Sequence, residues 1–255
     1  MELMNLLADG IQSPVAVETH CHTSVSAHAY STLMENVMVA AARGMKGLCV
    51  TDHAPELFDG APVYYFENLK SLPDQMMGVR LYRGAELNLM SAAGRVDLPD
   101  GLLSRLDWVI ASIHLPEFSP GDREAVNAAY QNLAKNPFVD VIGHCGRGKF
   151  FFDWEPVIKA FAGHGKVVEV NELSSRAVPE SVERCAGILA LCKQYEVPVV
   201  LSADAHFADA IGRYDHALSL VEQVGYPKDR ILNLDGERFE AYVQERRREK
   251  QRHIR

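Results

Sequence analysis

Residues 14–22 read PVAVETHCH, and residues 47–53 read GLCVTDH. Each is an apolar run that passes into polar, ionisable residues at its C-terminal end. Five more runs of this kind follow: 79–88 (VRLYRGAELN), 107–114 (DWVIASIH), 139–144 (VDVIGH), 166–172 (KVVEVNE) and 197–204 (VPVVLSAD). The seven are spaced by roughly thirty residues, about the length of one βα unit. Their apolar content is nearly continuous, as parallel strands covered on both faces require.

The stretches between them carry helical spacing. Residues 31–43, 122–135 and 180–195 are predicted helices. In the last, Val182, Cys185, Ile188, Leu189 and Cys192 share one face. Further helices are predicted at 154–163, 214–224 and 236–247. An alternating βα chain of this length fits a barrel or a doubly wound sheet. Seven strands, with no Gly-x-Gly-x-x-Gly after the first, favour a TIM-like barrel whose site lies at the C-terminal strand ends. No linker or low-complexity segment divides the chain, so residues 1–255 are expected to form a single domain.

Composition narrows the function. The chain has 255 residues, 47% of them apolar, which excludes a disordered chain. The net charge of −8 argues against a protein that holds long nucleic acid by its overall field. No apolar run is long enough to span a membrane, and the N-terminus lacks the basic-then-apolar form of a signal peptide. Five cysteines with no Cys-x-x-Cys pair fit reduced thiols, and a cytoplasmic location is expected. The oligomeric state is not legible. Residues 244–255 (QERRREKQRHIR) form a basic tail, expected to be a solvated, frayed helix end.

The ionisable residues at the strand ends form an ordered set. The first run ends in His20 and His22, the second in His53, the third in Glu86, the fourth in His114 and the fifth in His144; the seventh leads into Asp204 and His206. His28 lies in the loop after the first run. Residues two apart on a strand point the same way, so His20 and His22 can grip one ion together. A single histidine at a strand end is usually structural; an ordered set from six strands is not a chance pattern. Imidazole suits zinc, iron, copper or nickel better than magnesium or calcium. Nine ligands exceed the needs of one ion, and catalytic zinc commonly takes three protein ligands plus water. Three ions, one carboxylate bridging two of them, fit the number; a two-metal site with two spectator histidines is the alternative. His164, His216 and His253 have no such partners and read as surface residues.

VETHCHTSVSAHAYS, VTDH, RGAELN, ASIHLP, IGHCG and LSADAH together resemble the PHP superfamily (polymerase and histidinol phosphatase). The spacing is most similar to the small stand-alone bacterial phosphatases of the YcdX type. The resemblance implies a distorted seven-stranded (β/α) barrel and a trinuclear site, usually zinc, with manganese or iron also compatible. It implies that His20, His22, Glu86 and Asp204 hold one ion. Glu86, His114 and His144 would hold a second, and His28, His53 and His206 a third. The chain departs from the pattern at Glu18, where aspartate is usual, at Cys145, where proline is usual, and at Glu172, where close relatives have a small amide residue.

Clustered divalent ions suit hydrolysis of a phosphate ester, with a metal-bound hydroxide as the nucleophile and no side chain in that role. Asp52, Ser112 and Glu169 are expected to orient the ligands. Arg147, Lys149 and Arg176 are candidates for binding phosphate, and Gly146 and Gly148 allow backbone to approach a ligand closely. The expected activity is hydrolysis of small phosphomonoesters. Alternatives are a histidinol-phosphate phosphatase, a phosphodiesterase or exonuclease, an amidohydrolase and an inactive metal-binding domain. An amidohydrolase typically carries a bridging lysine at the fourth strand end, where this chain has His114.

Overall fold

In a computed structural model, which describes residues 2–148 and 150–254, the seven apolar runs are parallel strands. They are β1 (Val17–Cys21), β2 (Gly47–Val50), β4 (Val79–Asn88), β5 (Trp108–Ser112), β6 (Val141–Ile142), β7 (Val167–Asn171) and β8 (Val199–Ser202). A two-residue strand, β3 (Gln75–Met76), pairs antiparallel with the start of β4 and was not expected from the sequence. The sheet runs β1-β2-β4-β5-β6-β7-β8 and curls into a nearly closed α/β barrel.

The helices are α1 (Glu2–Ala8), α2 (Leu33–Ala42), α3 (Val63–Asn68), α4 (Asp100–Leu103), α5 (Arg123–Ala134), α6 (Trp154–Gly163), α7 (Glu172–Ser175), α8 (Pro179–Gln194), α9 (Asp215–Val224) and α10 (Gly236–Ile254). Their ends follow local chemistry. Thr32 and Glu35 form a reciprocal capping box at the start of α2, which satisfies otherwise unpaired amides. Asp122 caps α5 by accepting from the Ala125 amide. Gly225 ends α9 in the left-handed region, at φ 62°, where a Cβ is unfavourable.

Side chains at alternate strand positions turn polar toward the C-terminal mouth. At the lower end Val17, Cys49, Tyr82, Trp108, Ile110, Val141, Val167 and Val200 pack together with Phe239 and Val243 of α10. Two to four residues further along these strands stand Thr51, Glu86, Ser112, Glu169 and Ser202, all buried. The ligand-type residues follow. The period-2 direction of side chains thus stacks an apolar plug beneath a polar layer and a layer of histidines.

The seam between β8 and β1 is closed partly by side chains. The Ala205 amide donates to the His20 carbonyl and the His22 amide to the Ala205 carbonyl. Lower down, Asn233 accepts from the Leu201 amide and donates to the Val17 and Leu201 carbonyls. Glu18 accepts from the His20 and Ala203 amides and from the Tyr214 hydroxyl. Burial pushes its carboxyl up to about 7, against these hydrogen bonds.

The basic tail is not a frayed end over most of its length. It continues α10, and Lys250 is fully buried. The Lys250 ammonium lies 2.5 Å from Asp140 and donates to the Leu106 carbonyl. Arg246 bonds Asp140 at 2.9 Å and the Pro137 carbonyl at 2.8 Å, and Arg247 lies 3.0 Å from Asp107. Asp107 and Asp140 directly precede β5 and β6, so the tail is ion-paired to the lower rim of the barrel. Residues 251–254 are exposed. Among the described residues no helix is long and apolar enough to cross a membrane.

Candidate metal centre

All nine ligand-type residues converge at the mouth. His28, His53, Glu86, His114, His144, Asp204 and His206 line a cavity of about 330 Å³, and His20 and His22 lie fully buried beside it. Glu86 is the hub. Its carboxylate lies 3.2 Å from His20 Nε2, 2.8 Å from His53 Nδ1, 3.4 Å from His114 Nε2 and 3.0 Å from His144 Nε2. Asp204 Oδ1 lies 3.2 Å from His22 Nε2 and 3.7 Å from His20 Nε2.

Three triads have donor atoms within one ion's grip: His20–His22–Asp204, His53–Glu86–His114 and His22–His53–His206. The last two cross the ion-by-ion division that the resemblance implies, because His53 approaches Glu86 and His22 approaches His53. The pairs His28–His206 and Glu86–His144 keep to it.

Hydrogen bonds at the outer edge of the cluster fix the ring tautomers. His20 Nδ1 donates to Glu169 at 2.6 Å, His206 Nδ1 to the Asp204 carbonyl at 3.0 Å, and His28 Nδ1 to Asp59. His114 Nδ1 donates to Asn88 Oδ1 at 2.6 Å; the Asn88 amide nitrogen donates to the Ala54 carbonyl and to Asp97, which fixes the amide's orientation. All four acceptors are oxygens without a proton to give, so each ring presents its Nε2 lone pair to the interior.

The interior is therefore rich in ring nitrogens without hydrogen-bond partners. His28 Nε2 and His206 Nε2 face each other at 2.8 Å. Two lone pairs at that distance repel unless a proton or a cation lies with them. His20 Nε2, both nitrogens of His22 and His53 Nδ1 are buried without a hydrogen bond. His53 Nδ1 is 2.8 Å from Glu86 but not aligned as a donor to it. Buried polar atoms are nearly always satisfied, and this set of imidazoles and carboxylates fits divalent metal.

The electrostatics divide the cluster. Burial opposes ionisation of Glu86 and Asp204, yet the surrounding imidazoles hold both carboxyls well below the usual range. His20 is held well above the ordinary imidazole value: burial pulls it down, and Glu86, Glu169 and Asp204 outweigh that. Burial and the neighbouring His53 hold His22 well below it, and burial lowers His206. Ionised carboxylates beside the neutral rings of His22 and His206 are ready to act as ligands, whereas His20 and His114, both raised by Glu86, would give up a proton to a bound ion.

The backbone is strained at two of these positions. His144 and Asp204 adopt positive φ, 23° and 51°, which non-glycine residues rarely do outside functional sites. Gly143 precedes His144, and a Cβ there would sit 2.1 Å from Ser112 Oγ. The Ser112 hydroxyl donates to Glu86 at 2.7 Å.

The expected supporting residues divide. Glu169 orients His20, accepts from the His144 amide and is bonded by Ser202. Asp52, expected to orient a ligand ring, instead accepts from the Thr23 amide and the hydroxyls of Thr23, Ser26 and Tyr65. It sits below His53 and pins the loop that carries His28. Arg147 lines the cavity, half exposed, 3.1 Å from Asp204. Arg176 caps α7, is exposed, and is not among the described residues lining the cavity. Lys149 lies outside the described residues. Sequence reading missed Asn88 and Asp59. Asn88 carried a signal, since it stands two residues beyond Glu86 on the same strand face; Asp59, in a loop, carried none. The departure at Glu172 has a local explanation. Its carboxylate accepts from the Ala217 amide at 2.8 Å and from His216 Nδ1 at 2.7 Å, capping α9.

A family model described as the PHP domain matches residues 18–176. The chain is similar to a probable phosphatase of Caldanaerobacter subterraneus subsp. tengcongensis, 40% identical over 92% of this chain and 93% of that protein. It is similar to a probable phosphatase of Vibrio parahaemolyticus, 40% identical over 90% and 93%. In fold it matches histidinol phosphate phosphatase of Lactococcus lactis, solved with zinc, L-histidinol and phosphate. That likeness has a TM-score of 0.63 at 18% identity and covers 83% of this chain and 94% of the other. With a family model spanning most of the barrel and relatives alike over nine-tenths of its length, the chain belongs to the PHP-domain family.

Proposed function

We propose that this protein is a metal-dependent phosphatase of small phosphomonoesters, of the YcdX type, working with three divalent ions, most naturally zinc. The observation that carries the reading is the inward-facing array of imidazole lone pairs around Glu86 and Asp204, above all the facing Nε2 atoms of His28 and His206. The names of the relatives and the zinc and phosphate of the fold neighbour support it.

His20, His22, Glu86 and Asp204 would hold one ion, Glu86, His114 and His144 a second, and His28, His53 and His206 a third. Such ions supply Lewis acidity, clamping phosphoryl oxygens and lowering the pKa of a water. The chain's own residues do the rest. Glu169, Asn88, Asp59 and the Asp204 carbonyl hold four rings in the donor tautomer. Ser112 fixes one oxygen of Glu86. The Arg147 guanidinium, at the cavity wall, offers donors to phosphate oxygens.

The test is to purify the protein without chelator, count its metal and assay a phosphomonoester panel that includes histidinol phosphate. About three ions per chain with monoester turnover is expected. Metal-replete protein inert on every monoester, or active on diesters alone, would refute the reading.

A further inference from the structure

The cavity above the ligand cluster has an apolar wall that phosphate chemistry does not require. Leu57, Phe58, Ile113, Leu115 and Phe150 line it together with the ionisable residues. Phe58 is 86% exposed, the most exposed large apolar side chain among the described residues, and Leu115 is 58% exposed. Scattered exposed apolar groups are ordinary. Two at the rim of one small cavity, beside buried charge, are not scattered.

The backbone that carries Phe58 is held in place. Its loop leaves β2 after His53 and is fastened along its length. The Ala61 amide donates to the His53 carbonyl, the Gly60 amide to Leu57, the Leu57 amide to Ala54, and the Ala27 amide to Asp59. Ala54 and Ala61 are fully buried and Leu57 nearly so. A Cβ on Gly60 would lie 2.1 Å from the Ala54 carbonyl, so the turn is as tight as backbone permits. Asp59, the next residue, bonds the His28 ring. The same turn therefore orients a ligand histidine and presents an aromatic ring, unpacked, at the edge of the cavity. The fastened backbone points the ring outward, away from the core.

We infer that Phe58 and Leu115 select phosphomonoesters whose organic part carries an aromatic or flat apolar group next to the phosphate. This rests on the phosphatase reading and gives it a substrate class. The phosphate end meets the ligand cluster and Arg147, and the ring lies against Phe58 and Leu115, which line the same cavity. A cavity of about 330 Å³ is at the small end for ligand sites. A cavity of this order suits a small phosphorylated molecule.

The experiment uses two non-hydrolysable probes, phenylphosphonate and methylphosphonate, titrated calorimetrically into the metal-loaded protein. The wild type should bind the phenyl compound about tenfold tighter. Phe58→Ala should remove most of that ratio while leaving methylphosphonate affinity within about twofold, as an exposed ring carries little stability. Phe58→Tyr should keep the ratio, and Leu115→Ala should reduce it in part. Equal affinity for the two probes in the wild type, a ratio unchanged in Phe58→Ala, or binding of neither probe would overturn the inference. Turnover of phenyl phosphate and glycerol phosphate is measured separately. Inertness on both counts against the phosphatase reading, whereas turnover with no phenyl preference in binding counts against Phe58 alone.

Discussion

The two ends of the barrel both bury ionisable residues, and they treat them in opposite ways. At the lower rim each charge is answered. Lys250 meets Asp140 and the Leu106 carbonyl, Arg246 meets Asp140 and Pro137, and Arg247 meets Asp107. The Lys166 amine donates to the Asn136 and Val139 carbonyls, each at 2.6 Å. At the mouth, by contrast, His20, His22 and His53 carry buried nitrogens without hydrogen bonds, and His28 opposes His206. Buried polarity alone thus does not mark a functional site. Unanswered buried polarity, arranged around shared carboxylates, does.

This contrast breaks if substitutions at the two ends have the same consequences. The largest effect is expected at the hub. Glu86→Gln should lower phosphatase turnover on the order of 10³-fold, since several kcal/mol of charge stabilisation would be lost with the proposed bridging ligand. Metal content should fall by at least one ion, measured by elemental analysis. Full metal content with full turnover would place the chemistry elsewhere.

Asp140→Ala should act on the fold instead. It leaves Lys250 buried without a counter-charge, which costs about 3–5 kcal/mol, read from urea unfolding. Turnover per folded molecule should stay near wild type. A selective loss of turnover would mean that the lower rim is coupled to the mouth.

Asn88→Ala sharpens the contrast within the mouth. It removes the acceptor that orients His114, so metal affinity of the folded protein should fall roughly 10- to 100-fold, beside a folding cost of about 1–3 kcal/mol from the Ala54 carbonyl and Asp97 left without their donor. Competition with a chromophoric chelator measures this. Unchanged affinity would mean that His114 is held by packing alone.

The smallest effect concerns Lys166. Burial, then the neighbouring Arg246, lowers its pKa to about 7 from an ordinary value of 10.5. Between those values the unfolded chain keeps the proton and the native chain gives it up. Stability therefore rises with pH through that window, by up to about 1.4 kcal/mol per unit from this group. The neutral amine keeps two N–H groups for its two carbonyls. Denaturation of wild type and Lys166→Met at pH 7, 8 and 9 tests it: the slope should flatten in the variant, and equal slopes would contradict the assignment.

Legibility in the sequence follows the range of the interactions. The ligand-type residues were readable because strand runs announce themselves, and alternate residues on a strand share a direction. Glu169 was readable for the same reason, as a carboxylate inside an apolar run. Asp52 could be read as a ring-orienting or a structural carboxylate, and its structural role was not legible because its partners, Thr23, Ser26 and Tyr65, come from two other segments. The tail was misread because six basic residues in twelve look solvated until Asp107 and Asp140, more than one hundred residues earlier, are placed beneath them. Glu18 stood out in sequence only as a departure from the usual aspartate, and Asn233 did not stand out at all. They acquire their role only because β8 returns beside β1 and leaves backbone groups to satisfy.

By itself the sequence determined the βα repeat, the strand ends as the place of chemistry and the donor types gathered there. These depend on local periodicity and on the fixed polarity of parallel strands. Only the tertiary structure decided which nitrogen of each ring faces inward, how the barrel seam is sealed, what neutralises the buried tail and which apolar residues overlook the cavity. Those outcomes depend on distances between segments far apart in the chain, and no local pattern encodes such distances.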